Sequence, residues 1–181
     1  MKFSFKHSLS WALAWSALTI CLASPGMAAT SAEPHKHGSA TAVAAPASDA
    51  SQSIQPFDEK TWPEILRTGP RPAAYLFTTS YCSSCPAAFE VLHRAVKSQK
   101  TRVELVAVMM DVDGAQARRH AAHFSGLTHM YAFDGFEPAI RQSVDPSWPN
   151  VTPYVVMVDR AGQTQKVIGQ PSKAALRQWL R

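Results

Sequence analysis

TTSYCSSCPAAFEVL, residues 78–92, sets Cys82 and Cys85 three apart, with Pro86 directly after them and an apolar run beyond. Upstream, Ala73 to Thr78 is a brief apolar stretch suited to a buried strand. Downstream, Phe89, Leu92, His93 and Val96 recur at helical spacing. The cysteine pair therefore stands at a strand-to-helix junction, with Cys82 expected at the start of the helix. Such a pair can be a redox centre, half of a metal site or a structural staple.

The location has chemical consequences. At a helix N-terminus, unpaired backbone N–H groups and the positive end of the dipole stabilise an anion, which favours the Cys82 thiolate and makes this residue the natural nucleophile. Cys85, three residues on, lies on the same face and can attack a mixed disulfide formed on Cys82. Pro86 costs no hydrogen bond in the first turn. As a staple the pair is poor, because so short a loop restricts the unfolded chain little. As a zinc site it lacks a second cysteine pair. Two soft thiolates could still hold Cu(I), and a copper chaperone is the competing reading.

Compartment decides whether the thiols can be oxidised. Lys2 and Lys6 precede a mostly apolar run, Leu9 to Leu22, and small residues lead to a cut expected after Ala28. The run is shorter than the roughly 20 residues a membrane span needs. Residues 1–28 therefore read as a signal peptide and the protein as exported, periplasmic or otherwise. Lipid attachment at Cys21 is disfavoured by Ile20, where a small residue is required. Of the three cysteines, Cys21 leaves with the peptide, so Cys82 and Cys85 remain alone in an oxidising compartment.

Residues 29–55 are rich in Ala, Ser, Thr and Pro and read as a flexible tether. Residues 56–181 have the size of one domain. A short helix is expected to open near Phe57 with Asp58 as its cap and to close at Gly69-Pro70. Further strands are expected over Arg102–Met110 and Met130–Phe133, with helices over Ala115–Phe124 and Glu137–Val144. Tyr154–Val158 and Thr164–Ile168 flank the turn signal Asp159-Arg160-Ala161-Gly162, and Ser172 caps a last helix. The alternation predicts an α/β three-layer sandwich, a mixed central sheet flanked by helices. With 18 basic and 13 acidic residues and no basic run, nucleic acid is not an expected partner.

YCSSCP after a buried strand, VTPYVVMVDRAG farther on and a terminal helix together resemble the thioredoxin superfamily, in particular its exported TlpA-type thiol-disulfide oxidoreductases. The resemblance covers residues 56–181. It implies a thioredoxin-like fold, a redox-active Cys82/Cys85 disulfide with no other cofactor, and a cis Pro153 facing it. It also implies that substrate pairs along Thr152 and meets the aromatic Tyr81. Partners would be disulfide- or thiol-bearing exported proteins, together with a separate electron donor that could be membrane-bound. TlpA-type proteins are often reductants serving cytochrome c or copper-centre assembly, with a disulfide donor or isomerase as the other possible direction.

The sequence departs from the family pattern at Leu76, where many thioredoxins carry an acid that accepts the resolving thiol's proton. Glu90, Glu104 and Asp111 are the substitutes to weigh, although a surface or capping role suits each. Trp148 could line the groove before Pro153, with plain packing as the alternative. His120 and His123 fall on one polar helical stripe, and His35-Lys36-His37 lies in the tether, where weak metal capture is conceivable. His93 shares a face with Phe89 and Val96 and reads as packing.

Overall fold

The computed structural model describes residues 53–181. The expected signal peptide, Cys21 and the His35-Lys36-His37 cluster lie outside that range. The described chain folds as β1 (Ile54–Phe57), α1 (Thr61–Thr68), β2 (Ala73–Thr78), α2 (Cys85–Lys97), β3 (Glu104–Met109), α3 (Gly114–Ala121), β4 (His129–Phe133), α4 (Glu137–Val144), β5 (Tyr154–Val158), β6 (Thr164–Ile168) and α5 (Lys173–Trp179).

The six strands form one sheet in the order β1-β4-β3-β2-β5-β6. The first four run parallel, β5 is antiparallel to β2, and β6 is antiparallel to β5. The central strands β2, β3 and β5 are buried along their whole length, as strands covered on both faces must be. Alternation then divides their side chains. Ala74, Leu76, Leu105, Ala107, Met109, Val155 and Met157 face one layer, with Phe89 and Leu92 of α2, Ala117 of α3 and Trp179 of α5. Tyr75, Phe77, Val106, Val108, Tyr154 and Val156 face the other, with Trp62 and Ile65 of α1 and Ile140 and Val144 of α4. This is the expected three-layer sandwich.

Two local signals act as the sequence suggests. Ser172 Oγ accepts from the Ala175 N–H at the start of α5. Gly162 closes the β5–β6 hairpin at φ 82°, while the Asp159 carboxylate accepts from the N–H groups of Ala161 and Gln163.

The N-terminal boundary differs. Ile54–Phe57 is a strand that takes in Ile54 and Gln55 of the stretch read as tether, and Phe57 belongs to β1 rather than to a helix. Helix α1 begins at Thr61. Asp58 still organises the approach to it by accepting from the N–H groups of Lys60 and Thr61.

Candidate active site: a disulfide at the end of the sheet

The parallel strands β2, β3 and β4 all end at one edge of the sheet, and the loop from β2 into α2 crosses that edge. Ser80 is tied down there. Its N–H lies 2.9 and 3.0 Å from the two Asp111 carboxylate oxygens, and its hydroxyl donates to the same group at 2.6 Å. Asp111 follows β3 by way of Met110, whose N–H bonds the Thr78 carbonyl at 3.0 Å. The loop is thus fixed to its neighbouring strand immediately before the cysteines.

Cys82 and Cys85 form a disulfide, S–S 2.06 Å with Cα atoms 5.5 Å apart. Cys82 precedes the helix instead of starting it: its N–H bonds Thr79, its carbonyl accepts from Cys85, and Cys85 is the first residue of α2. Ser83 and Ser84 complete this extra turn. Both sulfurs nonetheless stand at the positive end of α2, where a thiolate is stabilised. Cys82 is 8% exposed and Cys85 0%, so Cys82 is the more accessible of the two. Ser84 occupies the helix-capping position without making a side-chain cap, and its Oγ lies 3.8 Å from Cys82 Sγ.

The second wall comes from β5. Register pairs Phe77 with Tyr154, which brings Thr152 and Pro153 level with the loop after β2. The Thr152-Pro153 peptide is cis, as is Arg71-Pro72, a feature with no counterpart in the sequence reading. Among the described residues neither the N–H nor the carbonyl of Thr152 has a hydrogen-bond partner, whereas the Pro153 carbonyl accepts from Gly169. Thr152 therefore presents free main-chain groups beside the disulfide.

Tyr81, 79% exposed, stands next to Cys82. Phe136, Val151 and Ile168 are the other large exposed apolar residues among those described. Phe136 follows β4, Val151 precedes β5 and Ile168 ends β6, so all four flank the same edge of the sheet.

The substitute acids separate clearly. Glu104 begins β3 opposite Ala73, about five strand residues or ~17 Å from the site end. There it pairs with Arg102 and His129. Glu90 pairs with His93 and Arg94 on the surface of α2. Asp111 alone is at the site, where it caps the loop. Leu76 is buried against the cysteines. Trp148 does not line the groove: its ring stacks on Tyr154 at 4.3 Å and its Nε1–H donates to the Val151 carbonyl at 3.0 Å, so it holds the loop before Pro153 from beneath.

Sequence reasoning missed Asp145. This buried carboxylate accepts from the Tyr154 hydroxyl, from Ser147 and from Lys166 Nζ at 3.1 Å. Burial alone would raise its pKa, but these bonds outweigh burial and hold it well below the ordinary carboxylate range. The Asp-Pro dipeptide at 145–146 was the available signal. Among the described residues no group of three or more His, Cys, Asp or Glu side chains is placed to hold a metal ion, and no helix is long and apolar enough to cross a membrane.

Strand order, helix layers, the cysteine pair at the head of α2 and the X-Pro bond before β5 define a thioredoxin-like fold. No family model and no curated protein matches the chain. Solved structures it resembles include a secreted Mycobacterium tuberculosis disulfide oxidoreductase, at 18% identity over 60% of this chain and 76% of that one, TM-score 0.43. A thioredoxin-related protein of Neisseria meningitidis serogroup B aligns at 15% identity over 63% and 86%, TM-score 0.47. A thio-disulfide isomerase from Thermus thermophilus aligns at 22% over 62% and 79%, TM-score 0.46.

Proposed function

We propose that the protein is an exported thiol-disulfide oxidoreductase that reduces disulfides of partner proteins. The observation that carries this reading is the asymmetry of the cysteine pair: one sulfur reachable, the other enclosed, both at a helix N-terminus beside the free main chain of Thr152. The N-terminal leader read from the sequence supports export.

In the reduced protein the Cys82 thiolate attacks one sulfur of a partner disulfide. A mixed disulfide forms and the partner's other sulfur leaves as a thiolate, which takes up a proton. Cys85 then loses its proton to solvent or a nearby base and attacks Cys82 Sγ. The internal disulfide forms and the second partner thiol is released. Two electrons have passed to the partner, and a separate dithiol donor must restore the pair. Thr152 would align the partner chain and Tyr81 would support its side chains. The resemblance to TlpA-type proteins suggests partners in cytochrome c or copper-centre assembly.

The deciding experiment is the reduction potential of the Cys82/Cys85 pair, measured by equilibration with dithiol buffers, with metal content assayed on the same sample. A value near or below about −270 mV supports a reductant, whereas one near −120 mV makes the protein a disulfide donor. Copper retained by the reduced pair would favour a copper chaperone instead.

A further inference from the structure

Beside the disulfide loop lies a cavity of about 330 Å³, lined by Ser80, Val112, Gln116, Arg119, His120 and His123. Its wall begins two residues before Cys82 and continues along α3. Every polar side chain in the lining can donate a hydrogen bond, and no acid lines it. None of the ion pairs formed among the described residues involves Arg119. His120 Nε2 is enclosed and has no hydrogen-bond partner. The His120 and His123 rings lie 5.6 Å apart.

Asp111, the carboxylate next to this cavity, accepts from the Ser80 N–H and hydroxyl and forms no ion pair with Arg119. Burial and the neighbouring His123 keep the His120 imidazole below its ordinary pKa against the pull of Asp111, and the Arg119 guanidinium carries a permanent positive charge. An unpaired guanidinium with an amide and two imidazoles is the donor set that binds a carboxylate.

We propose that this pocket receives an acidic side chain of the partner protein, an Asp or Glu within a few residues of the disulfide being reduced. The inference rests on the oxidoreductase reading and deepens it. A partner chain crossing Cys82 between Tyr81 and Thr152 continues past Ser80 on one side, where the pocket opens. The carboxylate would bind without taking part in electron transfer, so Arg119 is a specificity-determining residue.

The test uses two disulfide-bridged peptides that differ only by Glu or Gln two residues from a cysteine, reduced by wild type, Arg119→Gln and Arg118→Gln. Wild type should favour the Glu peptide about fivefold in kcat/KM, the scale of a partly exposed charge-assisted hydrogen bond. Arg119→Gln should erase that preference, and Arg118→Gln, which lines a different cavity, should keep it. A wild-type preference below about twofold, or one that survives Arg119→Gln, overturns the proposal. So does an Arg119→Gln effect confined to glutathione disulfide, which would assign the pocket to a small anionic thiol. If wild type reduces neither peptide, the oxidoreductase reading itself fails. The pocket is then judged by the imidazole proton signals of His120 and His123, titrated with thioether analogues of both peptides. Shifts with the Glu analogue alone support it, and equal responses overturn it.

Discussion

The Tyr154 hydroxyl donates a hydrogen bond to the Asp145 carboxylate, joining the first residue after Pro153 to the end of α4. Lys166 and Ser147 complete the cluster, and Trp148 stacks on the Tyr154 ring. The loop that carries Thr152 is therefore held at both ends by buried polar and aromatic contacts. Such support matters because the main-chain groups of Thr152 are left unbonded among the described residues.

Removing the hydroxyl in Tyr154→Phe keeps the stack and leaves Asp145 short of one donor. We expect a loss of about 1–3 kcal/mol in denaturant midpoint analysis. The companion Asp145→Asn variant tests the charge. Asp145 has a folded-state pKa below its unfolded value of about 3.9, so its contribution is fully present above that value and is lost as pH falls below it. The stability gap between wild type and Asp145→Asn should be constant from about pH 5 to 7 and narrow progressively below about pH 4. A gap that is flat down to pH 2 would show that the carboxylate's ionisation is not what the cluster stabilises.

Much of this arrangement was legible in the sequence, and the exceptions have physical causes. Strands β2 and β5 are continuous apolar runs bounded by turn residues, so their limits could be read directly. Strand β1 could not, because Pro56 in Ile54–Phe57 argues against a strand. The structure tolerates it at the sheet edge, where β1 pairs only with β4. The start of the helix was read at Cys82, a turn too early, because local pattern cannot distinguish the first helical turn from the preceding Cys82–Cys85 turn. For Trp148 the sequence left a groove role and a packing role both open, since its stacking partner, Tyr154, is brought beneath it only by the tertiary fold. The Asp145 cluster has the same cause: its members come from α4's end, β5 and β6.

In the proposed mechanism the more exposed cysteine, Cys82, reacts first. In the reduced protein, limiting iodoacetamide should modify Cys82 well before Cys85, at 8% against 0% exposure, as read by peptide mass spectrometry. In Cys85→Ser the exchange should stop at the mixed disulfide, so covalent adducts with partner proteins accumulate on non-reducing gels. Preferential modification of Cys85, or adducts trapped by Cys82→Ser instead, would reverse the assigned roles.

Ser84 gives up a helix cap to stand 3.8 Å from Cys82 Sγ. After reduction its hydroxyl can donate to the thiolate, an interaction worth about 1 kcal/mol at a partly exposed site, or roughly fivefold in an equilibrium. Ser84→Ala should therefore slow alkylation of Cys82 near neutral pH by about that factor, and Ser84→Thr should restore most of the rate. Thermal stability should change little, since no cap is lost. An unchanged alkylation rate would make the hydroxyl a bystander.

Tyr81 has almost no folded-state contacts to lose, at 79% exposure. Tyr81→Ala should accordingly leave stability within about 0.5 kcal/mol of wild type. Under the proposed function its value lies in what it covers when a partner is bound, and burying an aromatic side chain contributes about 1.5–3 kcal/mol. Part of that area is already shielded by the loop, so the expected loss in kcat/KM toward a protein disulfide is about tenfold. A small disulfide that does not reach across the loop should lose far less. Equal losses for both substrates would mean that Tyr81 shapes the reactivity of Cys82 rather than the docking of the partner. The Ser80–Asp111 tether would then be the next place to look, since it sets how Tyr81 and Cys82 are presented together.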